Sequence, residues 1–217
     1  MAVRPHYPSA KARAADLFVH VLGLGLAVLG GAVLLWMGVQ DPVPGKLAVI
    51  AIYSLGVVSM FGFSTAYNFA PLPWKPFLRR LDHVGIFLMI AATYTPFTAY
   101  LLSGVWAWVL TTSLWSLAGL GILGKIFLPL ISQKVWVPIY LGLAWIGAIA
   151  VIPLSGVTSG VVLLLLALGG VFYSAGVLFY INKRLQFAKA IWHGHVVAAA
   201  ATHWAAVLMG LFVARSW

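Results

Sequence analysis

An all-α membrane protein, a bundle of seven transmembrane helices with the N-terminus inside and the C-terminus outside, is the fold class that the sequence predicts. Three observations predict it. Of 217 residues, 63% are hydrophobic and only 7% charged, whereas a soluble globular domain carries about a quarter charged residues. Apolar runs of roughly 20 residues, enough to cross a ~30 Å hydrocarbon core, recur along the whole chain. The basic residues also fall very unequally on the two sides that those runs define.

Taken in order, residues 1–13 form a short polar tail, with Pro5, Pro8, Lys11 and Arg13. No small-residue cleavage motif follows the first apolar run, so that run is expected to stay in the membrane. Helices are expected near 15–38, 47–69, 82–102, 105–125, 134–154, 159–181 and 189–213. Gln40-Asp-Pro-Val-Pro-Gly45 and Ala70-Pro-Leu-Pro-Trp-Lys-Pro76 join prolines to polar residues, and Ser155-Gly-Val-Thr-Ser-Gly160 is a flexible turn, so each separates two helices. The boundaries around Gly104 and between Lys125 and Lys134 carry weaker breaks. No repeat or composition shift divides the chain, which reads as one domain over 1–217.

With the N-terminus inside, Arg4, Lys11, Arg13, Lys75, Arg79, Arg80, Lys125, Lys134, Lys183, Arg184 and Lys189 fall on the cytoplasmic side, and Lys46 and Arg215 outside. Eleven against two sets the orientation in the cell's inner membrane and requires an odd number of crossings. In so apolar a chain the excess of 13 Lys and Arg over 3 acidic residues speaks for orientation and against nucleic acid as a partner. Membrane lipids are the expected partners. Zero cysteines exclude disulfides and thiolate ligands, leaving His, Asp, Asn or Ser for any metal.

Polar side chains in hydrocarbon mark a candidate site. His20 lies in helix 1, Ser64 and Asn68 close helix 2, Asp82 and His83 open helix 3, and Lys189 and His193 open helix 7. All fall near one face of the membrane. His203, ten residues further along helix 7, belongs about 15 Å deeper. Each has a plainer reading: Lys189 and Asp82 as interfacial charges, Asp82 as a partner of a helix N-terminus, Asn68 as a helix end, His203 as a packed residue, His6 and His83 as solvated. Convergence of several helices at one level favours a site, with His20 and His203 turned into the bundle. His195 points roughly opposite His193 on its helix and is not expected to join it.

Leu78-Arg-Arg-Leu-Asp-His-Val-Gly-Ile-Phe-Leu-Met-Ile-Ala-Ala-Thr-Tyr-Thr-Pro-Phe97, with Ala190-Ile-Trp-His-Gly194 and Thr202-His203 far downstream, closely resembles the bacterial hemolysin III proteins, within the progestin and adipoQ receptor family. The resemblance runs from His20 through Gly169-Gly-Val-Phe-Tyr-Ser-Ala-Gly-Val-Leu-Phe-Tyr180 to the last helix. It implies a seven-helix fold, similarity to alkaline ceramidases, and a zinc site joining one histidine of helix 2 to two of helix 7 beside an aspartate and a serine. Such a zinc would activate water against a lipid amide.

Here the helix-2 motif Ser-x-x-Tyr-His reads Ser64-Thr-Ala-Tyr-Asn68, and the helix-7 His-x-x-x-His reads Lys189-Ala-Ile-Trp-His193. Of the metal set, His193 and Asp82 remain, with Ser64 beside them. The family's acidic pair is replaced by Ala12 and Arg13, and Asp16 stands where an asparagine is usual. Asparagine is a poor zinc ligand and an ammonium repels the ion. The expectation is a site with no cofactor, in which Lys189 pairs with Asp82; zinc is the alternative. Three functions follow in order: a non-catalytic or regulatory membrane protein of the hemolysin III type, acting in membrane homeostasis, lipid sensing or cytolysis; a zinc-dependent lipid amide hydrolase; and a small transporter or proton-linked channel.

Overall fold

The structure is a computed structural model that describes residues 6–128, 130–182 and 184–213. Arg4, Lys183 and Arg215 of the charge count lie outside the described residues. Seven helices are long and apolar enough to cross a membrane: α1 (Ala10–Gln40), α2 (Lys46–Phe69), α3 (Leu72–Leu101), α4 (Gly104–Phe127), α5 (Gln133–Leu154), α6 (Gly160–Ile181) and α7 (Ala188–Val213). Among the described residues there is no strand.

Helix α1 starts five residues before the expected 15, because Ser9 caps it: its hydroxyl accepts from the Ala12 amide at 3.1 Å, satisfying one orphan donor of the first turn. His20 therefore lies ten residues into α1, further in than the expected start at 15 places it. Helix α3 likewise begins earlier than 82, as a 3-10 turn at Leu72–Trp74 leads into the α-helix Lys75–Thr95. Asp82 is thus two turns inside the helix and does not serve its N-terminus. Pro76 at the second position of that helix explains the start, since a first-turn proline gives up an amide that has no partner anyway. Pro96 opens a π-helical turn, Pro96–Leu101, and α7 ends in another, Met209–Val213.

Helix α5 is broken in register, with a 3-10 stretch at Gly147–Ala150 between Gln133–Ile146 and Val151–Leu154. The break is matched from α3: the Tyr94 hydroxyl donates to the Ala144 carbonyl at 2.5 Å, and the Tyr94 ring occupies the space that a Cβ at Gly147 would need. Irregular backbone at membrane depth needs such a partner.

Outward faces are apolar, with Phe18, Leu29, Leu55, Leu120 and Leu178 exposed, as expected for a protein whose solvent is lipid. Helices α2, α3 and α7 are the most buried and surround the polar residues. Small residues set their spacing: a Cβ at Gly56 of α2 would run into Ala92 of α3, and one at Gly169 of α6 into the His203 ring of α7. At the end of the bundle away from the N-terminal tail, Lys46 is 2% exposed, paired to Asp41 at 2.6 Å and set over the Phe212 ring at 4.0 Å, tying the α1–α2 loop to the end of α7.

Candidate functional site

The polar site is built on Asp16, which α1 buries completely (0% exposed). One carboxylate oxygen accepts from His193 Nδ1 at 2.6 Å, and the other from the Tyr7 hydroxyl at 2.6 Å. A carboxylate only accepts, so His193 Nδ1 carries a proton. His20, four residues after Asp16 and on the same helix face, donates from Nδ1 to the Asp16 carbonyl at 2.8 Å. Its ring lies 4.3 Å from that of His193, edge to face. Two imidazoles from α1 and α7 are thus oriented by one acid.

Asn68 stands beside them at the end of α2. Its amide nitrogen donates to the Ser64 carbonyl at 3.0 Å, so its oxygen faces the site and accepts from His6 Nε2 at 2.9 Å. Lys189 Nζ lies 2.8 Å from His6 Nε2, 3.2 Å from His6 Nδ1 and 3.5 Å from Asn68 Oδ1, with its ammonium 4.6 Å from the centre of the Tyr7 ring. Burial, and then the Lys189 charge, lower the His6 pKa to about 4, so this imidazole is neutral at ordinary pH. Burial and the bond to Asp16 push the Tyr7 phenol up. The tail 6–9 is a strap over the site, held at its far end by Gln186, which donates to Ser9 at 2.9 Å.

Several expectations change. The ion pairs among the described residues are His20–Asp16, Lys46–Asp41 and His193–Asp16, so Lys189 sits on the strap and Asn68 and does not pair with Asp82. Asp82 instead lines the same cavity as Ser64, His193 and Lys189. His6 and His83 are not simply solvated: His83 meets Gln133 at 2.9 Å. His195 turns to its own helix, donating to the Ile191 carbonyl at 2.8 Å, away from His193 as expected. His203 donates to the Leu166 carbonyl at 3.2 Å and lies deeper, near Tyr173.

His20, Ser64, Asn68, Asp82, Lys189, His193 and His203 all line one cavity of about 570 Å³ inside the bundle, with Ile90, Leu141, Leu166 and Trp192 among its apolar walls. A cavity of this size and apolar character with polar groups gathered at one end suits an amphiphilic ligand. Asp16, Tyr7 and His6 were missed as site residues. An aspartate four residues before a histidine in an apolar helix is itself a signal; nothing local announces that the tail folds back.

The profile of the family described as Haemolysin-III related matches residues 13–204. The chain belongs to the Haemolysin-III related family. It is 32% identical over 199 residues to the Hemolysin-3 homolog of Bacillus subtilis (strain 168), covering 91% of this chain and 93% of that one. It is 30% identical over 199 residues to Hemolysin-3 of Bacillus cereus, covering 91% of each. The human Monocyte to macrophage differentiation factor is 30% identical over 217 residues, covering 94% of this chain and 87% of that one, which joins this family to the progestin and adipoQ receptors. With seven membrane-capable helices, this member is a multi-pass integral protein of the cell membrane.

The zinc that the family resemblance implies does not fit the residues that stand here at the implied ligand positions. Lys189 places an ammonium where a lone pair is needed, and the Asn68 oxygen is occupied by His6. Among the described residues one group of three possible ligands exists, Asp16, His20 and His193, whose ligand atoms lie within 4.8 Å of one another. Both Nδ1 atoms already point their protons at Asp16, so a metal there would have to bind the far ring nitrogens or replace those bonds. Asp82 is not part of this group.

Proposed function

We propose that this chain is a regulatory, lipid-binding member of the family that works without a metal ion. A membrane lipid enters the cavity with its chain along the apolar wall and its polar end against His193, Ser64 and Lys189. The observation that carries this reading is the seat of Lys189: the residue at the first helix-7 ligand position is held by His6 and Asn68, which gives positive charge to the site with no ion. Elemental analysis of protein purified without chelator is expected to give less than a tenth of a zinc per chain, and organic extraction to release a co-purifying lipid. Stoichiometric zinc would overturn the metal-free reading.

A second reading, a zinc-dependent lipid amide hydrolase, is favoured by the Asp16, His20 and His193 group, and the same metal measurement separates the two. We further propose that the N-terminus is cytoplasmic, on the basic-residue asymmetry. Lipids are the partners on this reading, and nucleic acid is not.

A further inference from the structure

Ser64, His20 and Asp16 form a line across α2 and α1. The Asp16 main-chain carbonyl accepts from His20 Nδ1 at 2.8 Å, and its carboxylate lies 3.7 Å from the same nitrogen. A carbonyl cannot donate, so Nδ1 holds the ring proton and Nε2 offers a lone pair. That lone pair faces Ser64 Oγ at 3.4 Å. Ser64 and His20 both line the cavity, and His20 is only 2% exposed. A nucleophile, a base within reach of it and a main-chain carbonyl fixing the base's tautomer, with a carboxylate 3.7 Å from the same nitrogen, make up an acyl-transfer constellation.

We propose that Ser64 is a nucleophile, with His20 as its general base and Asp16 as the positioning residue, for metal-independent hydrolysis of a long-chain acyl ester held in the cavity. The proposal rests on the reading that the cavity takes a lipid. A spacing of 3.4 Å is looser than a strong hydrogen bond and is the kind that tightens when substrate binds. Asp82 lines the same cavity as Ser64 and His20. Asn68 Nδ2 lies 3.5 Å from Ser64 Oγ, and Lys189 brings positive charge to the same end, where an oxyanion would form.

The step balances with water alone as co-reactant. The Ser64 Oγ–carbon bond forms as its proton passes to His20 Nε2. The ester C–O bond then breaks, and His20 returns that proton to the departing alcohol. Water adds to the acyl-Ser64 carbonyl, giving a proton to His20; the Oγ–carbon bond breaks, the fatty acid leaves and Ser64 regains its proton.

Full-length protein in detergent micelles, treated with hexadecyl fluorophosphonate in the presence of EDTA, is expected to gain one adduct per chain on the peptide bearing Ser64. Ser64→Ala should remove the adduct, His20→Gln should slow it about 100-fold or more, and Ser155→Ala should leave it unchanged. Ser64→Cys supplies a check independent of His20: its thiol, the sole cysteine in a chain that has none, should accumulate a thioester from p-nitrophenyl palmitate. No adduct on Ser64 and no thioester on the cysteine variant overturn the inference, and labelling abolished by EDTA overturns its metal independence. Lipid that co-purifies with an unlabelled protein leaves the binding reading standing while this one falls. Labelling with no co-purifying lipid upholds this inference and overturns only a lipid held through purification.

Discussion

Asp16 holds the site together through two charge-assisted bonds of 2.6 Å, each worth roughly 1.5–3 kcal/mol. Asp16→Ala is therefore expected to lower stability by about 3 kcal/mol or more, because it also leaves the Tyr7 hydroxyl and His193 Nδ1 without their acceptor; thermal unfolding in detergent measures this. His6 carries the pH dependence. Its pKa in place is about 4 against an ordinary 6.5, so the undocked tail binds more protons, and docking is strongest above pH 6.5 and weakens as pH falls from there towards 4. Hydrogen exchange at residues 6–9 should rise between pH 7.5 and 5 in the wild type, and His6→Asn should flatten that rise. Asn68→His combined with Lys189→His should create zinc binding, read by elemental analysis, if the rest of the site has the geometry that the family resemblance implies. At this scale the sequence showed Asn68, Lys189 and His193 as members of a site, because motif spacing and helix geometry are local. It did not show Asp16 as their centre, since which acid meets His193 depends on how α1 rotates against α7.

The helices were legible to within a few residues wherever apolar periodicity and proline marked their ends, and least so at α1 and α3, which begin five and ten residues earlier than the expected 15 and 82. In both, the added turns carry basic residues, which lower the hydropathy there, while the Ser9 cap and Pro76 mark the true starts. Small residues then decide how close these elements come. Gly169 faces the His203 ring, and Gly142 of α5 has open space where its Cβ would go. Gly169→Ala should cost about 1–3 kcal/mol through overpacking, whereas Gly142→Ala should be neutral or slightly stabilising. Melting temperatures of the pair test whether α6 and α7 are held at that separation.

For the molecule as a whole, seven crossings put the α4–α5 and α5–α6 loops on opposite sides. In a chain with no cysteine, Leu130→Cys should react with an impermeant maleimide only after the cytoplasmic side is exposed, and Gly156→Cys from outside in intact cells; the opposite pattern would reverse the orientation. Architecture was the most legible level because composition and hydropathy are summed over the whole chain, and the strap was the least, being a few tertiary contacts made by a short tail. The Asp16–His193 bond spans 177 positions of sequence, nearly the full length of the polypeptide. At 5–20 residues per second, the ribosome takes roughly ten to thirty seconds to deliver the partner of an acid that entered the bilayer with the first helix. During that interval Asp16 has only Tyr7 and its own helix neighbour His20 for company. A nascent chain interrupted before α7 thus carries in its first span an acid that still lacks its His193 partner.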